Sequence, residues 1–110
     1  MSELIEVHWT TGNIDEARKI SRYLVKERIV ASSQIIPWIE SVYMWDNQLE
    51  TTQESKIVMK TVKENFNRIQ QVIYENCSYE VPEIIQFSIQ GGNTEFLGFI
   101  EENSQVFEEA

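Results

Sequence analysis

Side chains that could offer a nitrogen or sulfur ligand to a metal are scarce in this chain. There is one histidine, His8, and one cysteine, Cys77. Together with a carboxylate such as Glu83 they could supply nitrogen, sulfur and oxygen ligands to zinc or copper, with the site formed between subunits. No C-x-x-C, H-x-H or H-E-x-x-H spacing is present. The alternative is that Cys77 ends an apolar helix face as a buried, unreactive thiol.

A second group of residues is aromatic and concentrates in one region of the chain. Its members are Trp38, Tyr43, Trp45 and Tyr79, accompanied by the polar residues Lys60 and Glu83. Aromatic walls with a few polar groups are typical of a ligand pocket. They are equally typical of a subunit interface that holds no ligand. The sequence leaves both interpretations open.

Signals for catalysis are missing from the sequence. There is no G-x-S-x-G motif, and His8 has no partner nearby in sequence for nucleophilic chemistry. Gly91-Gly92-Asn93 lacks the lysine of a P-loop and the third glycine of a dinucleotide-binding turn, so it indicates the start of a helix. We therefore expect a protein that is not an enzyme.

The central stretch of the chain predicts a long β-hairpin. Val30–Trp45 and Leu49–Thr61 are the two strands, and Asp46-Asn47-Gln48 is the turn. Alternation at the end of the second strand predicts that Ile57, Met59 and Thr61 face one side of the sheet and their neighbours the other. Strands of 13 to 16 residues would span roughly 43–53 Å, whereas a compact domain of this size is about 35 Å across. The hairpin should therefore extend past its own core, and pairing with further copies would cover it. Pro37 predicts a bulge, bend or edge.

The remaining segments predict a β-α-β-β-α-β-α order. They are a strand at Glu3–Thr10, helices at Ile14–Arg28 and Lys63–Asn76, a strand at Glu83–Ile89 and a short helix capped by Asn93 or Thr94. Asn13 should cap the first helix, with Glu16 completing a capping box. From Glu101 onward we expect fraying. This order predicts an α+β, ferredoxin-like split βαβ sandwich with an antiparallel sheet, forming one domain over residues 1–110.

Charge and composition narrow the class of protein. The net charge of −9 argues against a nucleic-acid partner, because binding phosphates needs a basic surface. No apolar run approaches the roughly 18 residues of a membrane span, so no membrane insertion is expected. The N-terminus lacks an export signal, and a single cysteine cannot form an internal disulfide. These features predict a cytoplasmic protein.

Several motifs resemble the CutA divalent-cation-tolerance family. They are ASSQIIP at 31–37, SVYMWDNQLE at 41–50, IVMKT at 57–61, YEVPEII at 79–85, and Gly92-Asn93 followed by Phe96-Leu97. In this order they cover roughly residues 5 to 101. The resemblance implies a ferredoxin-like subunit, a tight homotrimer in which long hairpins pair across subunits, tolerance of divalent metals, copper especially, and no established enzymatic reaction.

If a binding site exists, we expect it in the cleft between subunits. Trp45 and Tyr79 would form its walls, Lys60 and Glu83 its polar anchors, and Cys77 its softest donor. The chain departs from the family pattern at Ser32, where the family usually has Cys, and at Cys77-Ser78, where it has His-Pro. The resemblance therefore supports the homotrimer more strongly than it supports a metal site for Cu or Zn.

The alternative function is a PII-like signalling or scaffold trimer that binds a small effector or a partner protein. Such proteins, which share the architecture, reach their partners with a long loop between the second and third strands. The tight turn at Asp46-Asn47-Gln48 leaves no room for that loop. The cation-tolerance interpretation is therefore preferred.

Overall fold

The computed structural model describes residues 2–106. Its elements are β1 (Leu4–Thr11), α1 (Ile14–Lys26), β2 (Ser32–Trp45), β3 (Gln48–Val62), a 3₁₀ turn (Lys63–Asn65), α2 (Phe66–Asn76), β4 (Glu83–Ser88) and α3 (Thr94–Glu102). The four strands form one sheet in the order β2-β3-β1-β4, and all its pairs are antiparallel. The predicted α+β ferredoxin-like fold and its element order are confirmed. No helix in this part of the chain is long and apolar enough to cross a membrane.

The core lies between the sheet and the two longer helices. The predicted alternation along β3 is confirmed, since Ile57, Met59 and Thr61 are buried. The strand side chains of the core come from β1 and β3, and the helical ones from α1 and α2: Ile5, Val7, Trp9, Ile57, Met59, Ala17, Ile20, Leu24, Ile69, Val72 and Ile73. Burying each large apolar side chain stabilises the fold by about 1.5–3 kcal/mol.

Half of the β2–β3 hairpin projects beyond the sheet. Residues 55–62 of β3 pair with β1, and residues 56–60 among them also pair with β2, whereas residues 48–54 pair only with residues 39–45 of β2. This two-stranded segment, residues 39–54, is called the arm below. At ~3.4 Å per residue, residues 48–54 extend about 23 Å. The molecule measures 46 × 31 × 22 Å, as the predicted overhang requires.

The turn and the bulge follow from local chemistry. Asp46 and Asn47 have φ values of 50° and 63°, as a two-residue type I′ turn demands. Gln48 is already part of β3, so the turn is one residue shorter than predicted. At the other end of the arm, Pro37 and Trp38 stand opposite Ser55 alone, which is the expected bulge. The Ser55 hydroxyl donates a hydrogen bond to the Pro37 carbonyl at 2.9 Å.

Helix α1 ends two residues earlier than predicted because the chain turns in a Schellman motif. The Arg28 amide donates to the Val25 carbonyl, and the Ile29 amide donates to the Leu24 carbonyl. Arg28 adopts φ 58°, a left-handed conformation that usually falls to glycine at this position. No glycine marks this helix end in the sequence, so the helix was predicted to continue through Arg28.

The capping of α1 is partly as predicted. The Asn13 side chain accepts hydrogen bonds from the amides of Asp15 and Glu16, at 2.9 and 3.1 Å. The predicted second contact of the capping box, in which the Glu16 side chain accepts from the Asn13 backbone amide, is wrong. Glu16 accepts from the Thr11 hydroxyl at 3.0 Å, and that same hydroxyl accepts from the Asn13 amide at 3.2 Å. Thr11 thus links the end of β1 to the start of α1.

The predicted fraying from Glu101 was wrong for the described part of the chain. Helix α3 continues to Glu102, and the Gln105 amide donates to the Arg28 carbonyl at 2.8 Å. Buried Asn65 fixes the same place, because its amide donates to the carbonyls of Ile29 (3.0 Å) and Gln105 (2.6 Å). The remainder of the predicted frayed segment, residues 107–110, lies outside the described residues.

Replacing Arg28 by glycine should stabilise the protein. An L-residue in the left-handed region costs about 1–2 kcal/mol, and glycine removes most of that cost in spite of its larger backbone entropy. We expect Arg28→Gly to raise the free energy of unfolding by about 1 kcal/mol in urea denaturation. The control is Arg22→Gly inside α1, which should lower it by about 1 kcal/mol. Destabilisation by both variants would contradict the left-handed geometry at Arg28.

Candidate functional site

The sheet has a second face, which α1 and α2 do not cover. Alternation along the strands and the pairing register place on this open face Glu6, His8 and Thr10 from β1, Lys56, Val58 and Lys60 from β3, and Glu83, Ile85 and Phe87 from β4. Ile85 and Phe87 are 47% and 48% exposed. Large half-exposed apolar side chains beside charged ones are a surface suited to contact with another molecule.

A line of polar contacts crosses the open face from β2 to β4. The Lys60 ammonium donates to the Gln34 side-chain oxygen at 2.9 Å and lies 3.9 Å from a Glu6 carboxylate oxygen. The other Glu6 oxygen is 2.5 Å from Nε2 of His8. The His8 ring packs against the Phe87 ring with centroids 4.7 Å apart. Glu6 therefore joins two of the predicted site residues, Lys60 and His8.

Sequence reasoning missed Glu6, although a signal for it existed. Glu6 and His8 are two residues apart in a strand, so their side chains share a face. Lys60 stands directly opposite Glu6 on β3, and only the register of the sheet reveals that pairing. Charged residues directly opposite one another favour that register when their signs differ.

Glu83 begins β4 at the edge of the same face. Its carboxylate accepts a hydrogen bond from the Thr10 hydroxyl at 2.8 Å. Glu83 pairs with Thr10 whereas His8 pairs with Ile85, so Glu83 and His8 are diagonal neighbours, about 7–8 Å apart. Their side chains share a face and make no direct contact.

Two of the predicted aromatic residues, Tyr43 and Trp45, lie along the arm, whereas Trp38 lies in the bulge and is 65% exposed. Tyr43 pairs with Glu50 and Trp45 with Gln48, on the side that continues the open face along β3. The Tyr43 hydroxyl is 2.8 Å from Oγ1 of Thr52, and Trp45 at the tip is 66% exposed.

Trp45 is far from the polar line within one subunit. From Lys56, which stands in register with Thr10 and Glu83, the strand runs to Gln48 over about 26 Å. Trp45 and Glu83 of the same copy therefore cannot line one cleft. A second copy would have to supply one of them.

Tyr79 is held at the base of the arm. Its hydroxyl donates to a Glu54 carboxylate oxygen at 2.8 Å. Burial, and then the hydrogen bond and the negative charge of Glu54, raise the pKa of Tyr79 to about 12. Gly12 makes room for this contact, because a Cβ there would lie 2.5 Å from the Tyr79 hydroxyl oxygen. Glu54 is a contact that sequence reasoning did not anticipate.

Cys77 lies on the other side of the sheet from His8 and Glu83. It ends α2 and packs against the core cluster, with its thiol 3.5 Å from the Tyr79 carbonyl. Burial raises the pKa of the thiol, which disfavours the thiolate that binds metals. Across residues 2–106, no three side chains of the His, Cys, Asp or Glu type gather as a metal site would need. One subunit alone does not fit a divalent metal.

Comparison with known proteins gives a consistent result. A family model described as CutA1 divalent ion tolerance protein matches residues 5–103. The divalent-cation tolerance protein CutA of Thermus thermophilus is 32% identical over 104 residues, which cover 94% of this chain and 99% of that protein. Protein CutA 1, chloroplastic, of Oryza sativa subsp. japonica is 29% identical over 101 residues, or 92% of this chain. The chain spans only 57% of the length of that rice protein.

Solved structures show the same similarity in three dimensions. The crystal structure of CutA1 from Oryza sativa superposes with a TM-score of 0.90 at 28% identity and covers 94% of this chain and 95% of its own. CutA1 from the psychrotrophic bacterium Shewanella sp. SIB1 gives 0.88 at 32% identity, covering 94% and 96% of the two chains. These matches extend over the arm, the open face and the helices together.

The Tyr79–Glu54 contact predicts a specific alkaline response. With its pKa at about 12, folded Tyr79 keeps its proton above pH 10, where the unfolded chain loses it. The stability contributed by this proton is complete below pH 10 and is lost as pH rises to 12. The free energy of unfolding of Tyr79→Phe, measured by urea denaturation, should therefore fall less steeply between pH 10 and pH 12 than that of the parent protein.

Two glycine variants serve as the comparison for that experiment. Gly12→Ala should reproduce the shallower slope, because its methyl group displaces the Tyr79 hydroxyl from Glu54. Gly98→Ala, where an added Cβ meets no atom of residues 2–106 within 4 Å, should keep the parent slope. Equal slopes for Tyr79→Phe and the parent protein would show that the phenol does not titrate as described.

Proposed function

Because the chain belongs to the CutA1 divalent ion tolerance family, we propose that it is a cytoplasmic divalent-cation tolerance protein, for copper especially, that binds its ligand as a homotrimer and catalyses no reaction. The observation that carries the proposal is the arm. Its exposed apolar side chains include Val42 (58%), Met44 (62%) and Leu49 (70%). A two-stranded hairpin is marginal in water, so this one gains stability when other copies cover it.

The open face supports the same assembly. Ile85 and Phe87 on β4 and the aromatic side of the arm are available for contact with further copies. A cleft between copies would bring Trp45 of one subunit towards the polar line of another. Within one subunit the two are too far apart, because the strand between them runs about 26 Å at ~3.3 Å per residue. In that cleft Trp45, Tyr43 and Tyr79 are the walls and Lys60 and Glu83 the polar anchors.

Metal binding in this proposal depends on donors from different subunits. His8 and Glu6 already place an imidazole next to a carboxylate, and Glu83 adds a second carboxylate on the same face. Imidazole and carboxylate suit zinc and copper(II). Cys77, the softest donor, would have to act from the helix side of the sheet.

The second candidate is a PII-like trimer that binds a small effector or a partner protein. It is the lesser candidate because the loop that would reach a partner is missing. Asp46 and Asn47 alone connect the two strands of the arm, and both are committed to the type I′ turn. No residues remain between the two strands of the arm to form an extended regulatory loop.

Assembly through the arm is tested by charge insertion. Native mass spectrometry of the untagged protein at micromolar concentration should show a trimer. Met44→Lys should shift it to monomer, because burying an unpaired ammonium between subunits is costly. Tyr74→Lys, on half-exposed Tyr74 of α2, is the matched control and should stay trimeric. A monomeric parent protein would refute the proposal.

Metal binding is tested separately with Cu and Zn. Native mass spectra after adding either ion should show stoichiometric metal in the trimer. The double variant Cys77→Ser, Glu83→Gln should lose that metal, while Glu95→Gln on α3 should keep it. A trimer that stays free of metal would retire direct metal binding and leave the effector-binding alternative. Unchanged metal uptake by the double variant would remove Cys77 and Glu83 from the site.

A further inference from the structure

A groove of about 520 Å³ lies between α1 and α2, on the opposite side of the sheet from the open face. Its walls are Asn13, Asp15, Glu16, Lys19, Ile20 and Tyr23 from α1 and Arg68, Val72, Glu75 and Asn76 from α2. The volume is within the range of pockets that hold small molecules. An assembly that covers the open face leaves this groove accessible.

The charges of the groove are sorted by sign along its length. β1 and β3 are antiparallel and each leads into a helix, so the start of α1 lies beside the end of α2. The negative charge of Glu16 acts on Cys77, which agrees with that placement. Glu16 and Glu75 therefore form an acidic end, whereas Lys19 and Arg68 lie further along.

Arg68 has unused hydrogen-bonding capacity. Within residues 2–106 its Nε is buried without a hydrogen-bond partner, and its terminal nitrogens make one hydrogen bond, a long contact of 3.4 Å from Nη1 to Gln71. A guanidinium group carries five N–H donors and binds a carboxylate with two of them at once.

The opposite end has unused acceptors. Among the residues that the structure describes, Glu75 takes part in no ion pair within 4 Å. Asp15 is already paired with Arg18 at 3.7 Å. An ammonium group at this end would therefore meet the carboxylate of Glu75, with Glu16 across the groove. Carbonyl groups at the end of α2 favour a cation at the same place.

The spacing of the two ends sets the length of the ligand. Arg68 and Glu75 are two turns apart on α2, about 10 Å along the helix axis at ~1.5 Å per residue. Three residues of extended peptide cover about 10 Å. Between the ends the wall is apolar, with Ile20 and Val72 buried and Tyr23 45% exposed. We propose that this groove binds short zwitterionic peptides of about three residues, with the carboxylate at Arg68, the ammonium at Glu75 and Glu16, and an apolar side chain against Ile20 and Val72.

The test uses the tripeptide Ala-Leu-Ala and two forms of it that each lack one charge. Isothermal titration should show saturable binding of the free tripeptide at millimolar concentration or below. N-acetylation and C-amidation should each weaken binding by at least about tenfold, since each removes a charge-assisted contact. Absence of saturable binding, or equal affinity for all three peptides, would overturn the proposal.

Variants assign each charge to its residue. Arg68→Met should abolish the preference for the free acid over the amide while keeping the preference for the free amine. Glu16→Gln combined with Glu75→Gln should do the reverse. Arg22→Met, on an exposed residue of α1 outside the groove, should retain both preferences. An Arg68→Met protein that still discriminates acid from amide would overturn the assignment of the carboxylate to Arg68.

This inference is independent of the proposed cation tolerance and trimer. The groove variants should leave the oligomeric state seen by native mass spectrometry unchanged, and Met44→Lys should leave tripeptide affinity unchanged. Failure of the assembly proposal and failure of the peptide proposal therefore appear in different measurements. Circular dichroism of Arg68→Met checks that lost binding is not lost folding.

Discussion

The antiparallel pairing of β2 with β3 is the interaction on which the rest of this structure depends. At its inner end it joins two sheet strands that bury Ile57 and Met59, and at its outer end it holds the two strands of the arm together. The bulge at Pro37 and Trp38 divides these two regions. The same ladder thus belongs to the core at one end and offers an exposed surface at the other.

The sheet separates two kinds of surface. On the helix side, apolar packing fixes α1 and α2 and leaves a groove between them with charges of both signs. On the open side, Glu6 on β1 links His8 of the same strand to Lys60 on β3, and Phe87 on β4 covers the imidazole. Polar groups that contact one another in this way can be buried in an assembly at lower cost than isolated charges. This suits a face that other copies cover.

Buried polar contacts stabilise the end of the sheet that lies opposite the arm. Thr61 donates its hydroxyl to the Ile29 carbonyl at 2.6 Å, and Asn65 donates to the carbonyls of Ile29 and Gln105. Three distant segments therefore meet at one carbonyl oxygen and one amide. Hydrogen bonds of this kind specify which loop lies where, beyond their net contribution of about 1 kcal/mol each.

The sequence by itself determined the elements whose signals are local. Alternation in β3 predicted which side of the sheet is buried, Asn13 predicted the start of α1, and Pro37 predicted the bulge. Each of these depends on the conformational preference of one residue or on a repeat of two. The end of α1 at Lys26 escaped prediction because no glycine stands at Arg28, the left-handed position, and the burial of Ile29 and Val30 just after it depends on tertiary packing.

The candidate site was decided by tertiary structure for the same physical reason. His8, Lys60 and Glu83 were identifiable by residue type, but their placement on one face follows from strand register, which links residues more than fifty positions apart. Cys77 was assigned to the same site by chemistry alone, and the fold places it behind the sheet. Contacts such as Tyr79 with Glu54, and the groove between α1 and α2, exist only once distant segments pack, so no local pattern encodes them.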